Sequence, residues 1–95
     1  MQYKLIRERD GLIKKASKVL WISWNNDGRF NSSHDEPAIG RSLVLDPGIS
    51  YTWLTTSITE MLPSENDNEI NFKTKNSIYK LVKFQGDEKN NREEN

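Results

Sequence analysis

The chain contains no cysteine, only one histidine and only three prolines in 95 residues. The absence of cysteine excludes disulfides, thiolate metal sites and cysteine nucleophiles, and it fits a reducing compartment. No segment approaches the roughly 20 consecutive apolar residues that a membrane-spanning helix needs. Residues 1–10 include acids and lack an apolar core, so they do not have the pattern of a secretory signal. We therefore expect a cytoplasmic protein that holds no metal and no cofactor.

The chain also has no excess of charge of either sign, because 14 basic residues balance 14 acidic ones. Segment 85–95 carries four acidic and two basic residues, a net charge of −2, which leaves +2 for residues 1–84. A balance this close to zero provides no general attraction to nucleic acid or to an anionic membrane. Segment 85–95 has no apolar residue, and we predict a disordered polar tail there.

Apolar residues are few, at 34% of the chain, yet the nine aromatic residues all lie between Tyr3 and Phe84. Their placement within patterned segments predicts one folded domain over residues 1–84 with a thin, aromatic-rich core. The strongest structural signal is segment 40–56, which predicts two β-strands joined by a turn. In that turn, Pro47 and Gly48 fit the second and third positions of type II geometry, with a positive φ at Gly48.

Other segments show the alternation or the turn signals of short strands. Strands are predicted over 3–7, 18–24, 69–74 and 77–84, and a polar loop is predicted over 31–38. The run 18–24 is apolar on both faces, which predicts a central strand covered on both sides. Segments 12–15 and 57–62 fit either a strand or a helical turn, and Phe30 either begins a strand or folds back onto the core. This pattern predicts a mostly β fold: a small antiparallel barrel or sandwich, an SH3-like or OB-like meander of five to seven short strands with at most one short helix.

Two polar groups are the candidates for ligand chemistry. His34 lies beside Asp35 and Glu36, and an imidazole next to carboxylates is a minimal set for proton transfer. Arg41 and Ser42 follow a glycine and offer a guanidinium and a hydroxyl to an anion, with Arg29 as a second cation. The structural alternatives are a histidine that anchors the loop and an arginine that forms an ion pair with Asp35, Glu36 or Asp46.

The aromatic and lysine residues are the candidates for stacking or interface contacts. Trp21 and Trp24 have opposite strand parity, so one of them faces away from the core that the other enters. Trp24 is the candidate for an exposed stacking surface, and Tyr51 and Trp53 are candidates for stacking on a small ligand. The last predicted hairpin also carries four lysines: Lys73, Lys75, Lys80 and Lys83.

No catalytic motif is present, since the sequence has no nucleophile elbow, no Ser-His-Asp spacing and no glycine-rich nucleotide loop. We therefore expect a non-catalytic binding module, a small protein-interaction or regulatory domain that binds a protein partner or a second copy of itself. The first alternative is a domain that binds a small anion or nucleotide through Arg29, Arg41 and Ser42. The second alternative is single-stranded nucleic-acid binding on an aromatic and lysine-bearing sheet face.

Overall fold

A computed structural model describes residues 2–48 and 52–85, which form nine β-strands. The strands are β1 (Gln2–Arg7), β2 (Leu12–Ala16), β3 (Val19–Trp24), β4 (Phe30–His34), β5 (Ser42–Leu45), β6 (Trp53–Leu54), β7 (Ile58–Leu62), β8 (Glu69–Thr74) and β9 (Ile78–Phe84). The predicted mostly β character is confirmed, and the strand number exceeds the predicted five to seven. No helix and no closed barrel occurs within the described ranges.

The strands form two antiparallel sheets. The five-stranded sheet has the order β2-β1-β9-β8-β7, and the four-stranded sheet has the order β4-β3-β5-β6. The hairpins β1–β2 and β8–β9 are joined by the pairing of β1 with β9, which runs from Gln2 opposite Phe84 to Arg7 opposite Tyr79. The first and last described strands are thus neighbours in the middle of one sheet.

The core consists of one hydrophobic cluster to which both sheets contribute. Its buried members are Leu5, Ala16, Ile58, Phe72, Tyr79 and Leu81 from the five-stranded sheet and Trp21, Leu43 and Leu45 from the four-stranded sheet. At its centre, the ring of Trp21 meets the ring of Phe72 edge to face, with centroids 5.5 Å apart. Phe72 also stacks on Tyr79 at 5.3 Å. Aromatic contacts of this kind add to the free energy gained from burial.

Strand β3 lies between β4 and β5, as its apolar run predicted, but only one of its faces is fully covered. The side chain of Trp21 is 1% exposed, whereas Leu20, Ile22 and Trp24 on the other face are half-buried. The prediction that a second layer covers both faces is therefore wrong for the described residues.

The predicted polar loop over 31–38 is wrong in its first half. Residues 31–34 belong to β4, which pairs with β3 so that His34 lies opposite Trp21. Phe30 begins this strand and is 57% exposed, so it does not fold back onto the core. The strand lacks an apolar face because it is the edge of its sheet, where pairing requires backbone groups rather than hydrophobic side chains.

The hairpin of β5 and β6 is confirmed, but the type II turn is not. Gly48 lies outside the left-handed region, and the residue with positive φ is Asp46, at 52°. The Asp46 carboxylate explains this conformation, because its Oδ1 accepts hydrogen bonds from the backbone N–H groups of Ser17 and Lys18 at 3.0 and 3.3 Å. The same Oδ1 also accepts from the Ser17 hydroxyl at 3.2 Å, and Oδ2 accepts from the Thr52 hydroxyl. Asp46 therefore ties the β2–β3 connection to the end of β5.

The ambiguous segments are resolved as strands. Segment 12–15 lies in β2 and segment 57–62 contains β7, while Lys75 and Asn76 lie in the turn between β8 and β9, as predicted. Tyr51 and the predicted tail from residue 86 onward lie outside the described residues.

Replacing Trp21 with alanine should destabilise the domain severely. The substitution leaves a cavity against Phe72 at the centre of the only buried cluster in the described ranges, and truncating a buried aromatic typically costs about 3–5 kcal/mol. Chemical denaturation measures the loss. Phe30→Ala is the matched control and should change the free energy of unfolding by less than about 0.5 kcal/mol, because that ring is mostly exposed. Equal losses of unfolding free energy in the two variants would contradict the placement of Trp21 in the core.

Replacing Asp46 with asparagine should lower the stability in a pH-dependent way. Burial raises the pKa of Asp46, but the hydrogen bonds from Ser17, Lys18 and Thr52 outweigh it and hold the pKa below the ordinary value of 3.8. A lowered pKa stabilises the fold above the unfolded-state pKa, and this contribution is lost as the pH falls through the folded-state pKa.

The difference in melting temperature between the parent and Asp46→Asn should therefore be largest at neutral pH and shrink below about pH 3.8. Asparagine tolerates the left-handed conformation, so the substitution tests the charge and not the backbone. A difference that stays constant down to acidic pH would show that the carboxylate charge does not anchor this turn.

Candidate binding surfaces

His34 lies in a hydroxyl cluster between β3 and β4. Its Nε2 is 3.1 Å from Ser23 Oγ and 3.0 Å from Ser32 Oγ, and the two hydroxyls are 3.0 Å apart. A serine hydroxyl against an imidazole is the first half of a nucleophile and base pair, which also needs a group that orients the ring. Within the described residues, no hydrogen bond to His34 Nδ1 supplies that group. The contacts of Ser23 with Ser32 and His34 link β3 to β4.

Ser23 and Ser32 were not predicted to meet the histidine. Strand parity alone places Ser32 and His34 on one face of β4, because they are two residues apart. The contact with Ser23 depends on the register of β3 and β4, which shifts at a bulge between Ser23 and Trp24.

The predicted anion-binding residues each have another partner. Arg41 Nη1 donates to the carbonyl oxygen of Glu36 at 2.7 Å, and the buried Ser42 hydroxyl accepts a hydrogen bond from Trp24 Nε1 at 2.9 Å. The Arg29 side chain is exposed, with its Nε 3.9 Å from Asp27 Oδ2. The structural alternative, in which Arg41 pairs with a carboxylate, is wrong among the described residues, since Arg41 donates to a backbone carbonyl instead.

Aromatic and cationic groups do meet at Trp53, but with cations that were not predicted. The Arg7 guanidinium and the Lys14 ammonium lie 5.4 and 5.3 Å from the centroids of the Trp53 indole. Arg7 also forms a bidentate pair with Asp10, at 2.8 and 3.0 Å. Hydrogen bonds from the Arg7 side chain and from the Leu12 N–H lower the pKa of Asp10 to about 2. Asp10 thereby holds Arg7 in place beside the indole.

The four lysines of the last hairpin do not form one patch. Lys73 and Lys80 lie on the outer face of the five-stranded sheet, where Lys80 Nζ is 3.6 Å from Glu69 Oε2. Lys75 lies in the turn. Lys83 has the opposite parity and lines a cleft of about 140 Å³ at the end of the core, together with Tyr3 and Trp21. The four predicted lysines are thus divided between two faces and a turn, and Lys73 and Lys80 share the outer face with Lys4 and Lys15.

The outer face of the five-stranded sheet carries a broad apolar surface. Its apolar residues are Ile13 on β2, Ile6 on β1, Ile78, Val82 and Phe84 on β9, and Leu62 on β7. Ile13 and Ile6 lie opposite each other, one residue out of phase with the buried Leu5. No described element covers this face, and Ile13 is 51% exposed. We refer to these six residues as the outer apolar face.

A groove of about 440 Å³ crosses the middle of the outer apolar face. Its lining includes Ile6, Ile78, Leu62 and Pro63, with Asn71 and Lys80 as polar members. The Asn71 Nδ2 group donates to the Pro63 carbonyl at 2.9 Å, while its Oδ1 is buried without a hydrogen-bond partner. An unmade hydrogen bond at a buried acceptor costs free energy.

Exposed apolar side chains lie mainly on edge strands. Ile13 is on the β2 edge and Met61 on the β7 edge of the five-stranded sheet, and Phe30 is on the β4 edge of the other sheet. Ile39, in a loop, is the fourth large apolar residue exposed in the described ranges. Exposed apolar groups beside unpaired backbone are features of strands that bind another chain.

Comparison of the chain with protein-family models, curated proteins and solved structures gives no match, so the functional argument depends on geometry alone. Residues 2–48 and 52–85 contain no helix that is long and apolar enough to cross a membrane. The same ranges contain no group of three or more acidic or histidine side chains placed to hold a metal ion.

Replacing Arg7 with lysine should raise the pKa of Asp10 from about 2 toward the ordinary value of 3.8. Lysine keeps the positive charge but cannot form the two parallel hydrogen bonds that the guanidinium makes. Carboxyl carbon NMR titration of Asp10 measures the change. Lys14→Arg is the control, because Lys14 contacts the indole and not Asp10. An unchanged Asp10 titration in Arg7→Lys would contradict the bidentate pair.

Proposed function

We propose that the chain is a non-catalytic protein-interaction module that binds its partner on the outer apolar face. The observation that carries this proposal is the exposure of Ile13 next to the half-buried apolar residues of β1 and β9, with no described element above them. Uncovered apolar surface of this extent on a small domain typically marks an interaction site.

A protein partner fits this surface better than a small ligand. The outer apolar face reaches from Ile13 on β2 to Leu62 on β7, a width on the order of 20 Å at a strand spacing of about 4.8 Å, although β8 contributes only polar residues to that face. The groove covers only the part between β1 and β7 and leaves Ile13 outside. A side chain of the partner that enters the groove would contact apolar walls formed by Ile6, Ile78 and Leu62, which is the arrangement of an interface anchor.

The architecture that we propose for the module is an open sandwich of two sheets rather than a barrel. The support is the single core cluster with members from both sheets and the contact of Trp21 with Phe72 across them. In a sandwich each sheet turns one face inward, so the opposite face of the five-stranded sheet stays available to a partner.

Removing the apolar group at Ile13 should therefore abolish partner binding without unfolding the domain. The test is affinity capture from a lysate of the source organism with the parent chain, Ile13→Asp and Ile13→Thr. Threonine keeps a β-branched side chain and so preserves the strand preference of β2. Thermal melting verifies folding, and the proteins captured by the parent should be missing from both variants.

Two substitutions serve as matched controls. Ile39→Asp changes the most exposed isoleucine, which lies in a loop, and Phe30→Asp changes an equally exposed residue on the other sheet. Both should retain the partner. Loss of capture in Phe30→Asp alone would move the interface to the four-stranded sheet and refute the proposal. Light scattering completes the test: a dimer that Ile13→Asp converts to a monomer would identify the partner as a second copy.

A further inference from the structure

We propose that the edge strand β2 binds an extended acidic segment of the partner, which adds to the five-stranded sheet as a sixth strand. This inference rests on the proposed function and specifies the partner. Within the described residues β2 pairs only with β1, so the second side of its backbone is free for hydrogen bonds. Strand addition uses such groups for affinity and uses the flanking side chains for specificity.

β2 is the most regular of the four described sheet edges. Its five residues pair with β1 without interruption, from Leu12 opposite Arg7 to Ala16 opposite Tyr3. In contrast, β7 has a register shift between Ile58 and Glu60, and β6 has only two residues. β4 has an extra residue, Asn31, at the register shift in its pairing with β3. An incoming strand needs an even row of donors and acceptors, and bulged or short edges do not provide it.

The charges on β2 select the chemistry of the incoming strand. Lys14 and Lys15 occupy two of its five positions, and no acidic side chain lies within 4 Å of either ammonium group in the described residues. A second copy of β2 would bring the same two lysines to the edge, and like charges on neighbouring strands are destabilising. An acidic pair on the incoming strand would meet both ammonium groups. Charge complementarity therefore favours a segment of another protein over self-pairing.

Ile13 indicates that the incoming strand also carries an apolar residue. Ile13 and Lys15 share the outer face, while Lys14 points inward to Trp53. An incoming strand therefore needs an apolar residue opposite Ile13, beside two acidic residues opposite Lys14 and Lys15. Segment 86–95 of this chain is acidic but has no apolar residue, so it lacks the group that Ile13 would contact.

The probe is the peptide acetyl-Thr-Val-Glu-Glu-Val-Thr-amide, whose symmetric sequence places glutamates against the lysines in either strand direction. Calorimetry with the full chain should show saturable binding that weakens as salt rises. The peptide with lysine in place of both glutamates should not bind. Lys15→Glu should weaken the binding of the glutamate peptide by at least about tenfold and strengthen the binding of the lysine peptide. Lys73→Glu, on the interior strand β8, should leave both affinities unchanged.

Backbone pairing is tested by N-methylation of alternate peptide residues. One peptide is methylated at the first Val and the second Glu, and the other peptide is methylated at the first Glu and the second Val. The two peptides therefore lose N–H groups on opposite sides of the added strand. Only one of the two peptides should lose binding. Equal affinities for both, or no saturable binding of the parent peptide, would overturn the inference. If Ile13→Asp still abolishes capture in that case, the outer apolar face remains the interface, and only strand addition is refuted.

A chain ending at Gln85 provides a last comparison. Equal peptide affinity in this chain and in the full chain supports a partner segment as the occupant of the β2 edge. A large gain in affinity upon truncation would assign the edge to segment 86–95 and overturn the assignment to a partner.

Discussion

The contact between Trp21 and Phe72 is the constraint on which the rest of the structure depends. It is the place where the largest buried side chains of the two sheets meet, and the other core residues surround it. A chain of 95 residues with 34% hydrophobic content has enough apolar side chains for one such layer. Each sheet therefore buries one face only, and every other apolar residue on the strands must lie on an outer face.

The two outer faces differ in how they satisfy this constraint. On the four-stranded sheet, the Trp24 indole donates a hydrogen bond to the buried Ser42 hydroxyl. On the five-stranded sheet, Ile13 is half exposed, and the apolar residues of β1 and β9 beside it are half-buried with no described element above them.

The local parts of the fold could be predicted from the sequence and the long-range parts could not. The β8–β9 hairpin is encoded by alternation on both sides of a short turn, and Ile70, Phe72 and Thr74 do share the inner face. The left-handed residue near β5 was missed because the groups that hold Asp46 lie 28 and 29 residues earlier in the chain. Strand β4 was missed because segment 31–34 has no apolar residue. Its pairing depends on β3 and not on its own pattern.

In the candidate site, too, the sequence predicts the local features and not the contacts between distant strands. Parity predicted that Trp21 and Trp24 would separate, but the meeting of Trp53 with Arg7 and Lys14 requires the two sheets to pack. Lysines on an exposed edge protect a sheet protein from pairing with its own copies, because each copy carries the same charge. The same charges do not oppose an acidic strand. The strand addition that we propose therefore gives the same two lysines both roles, because they suppress self-pairing at β2 and select an acidic partner segment.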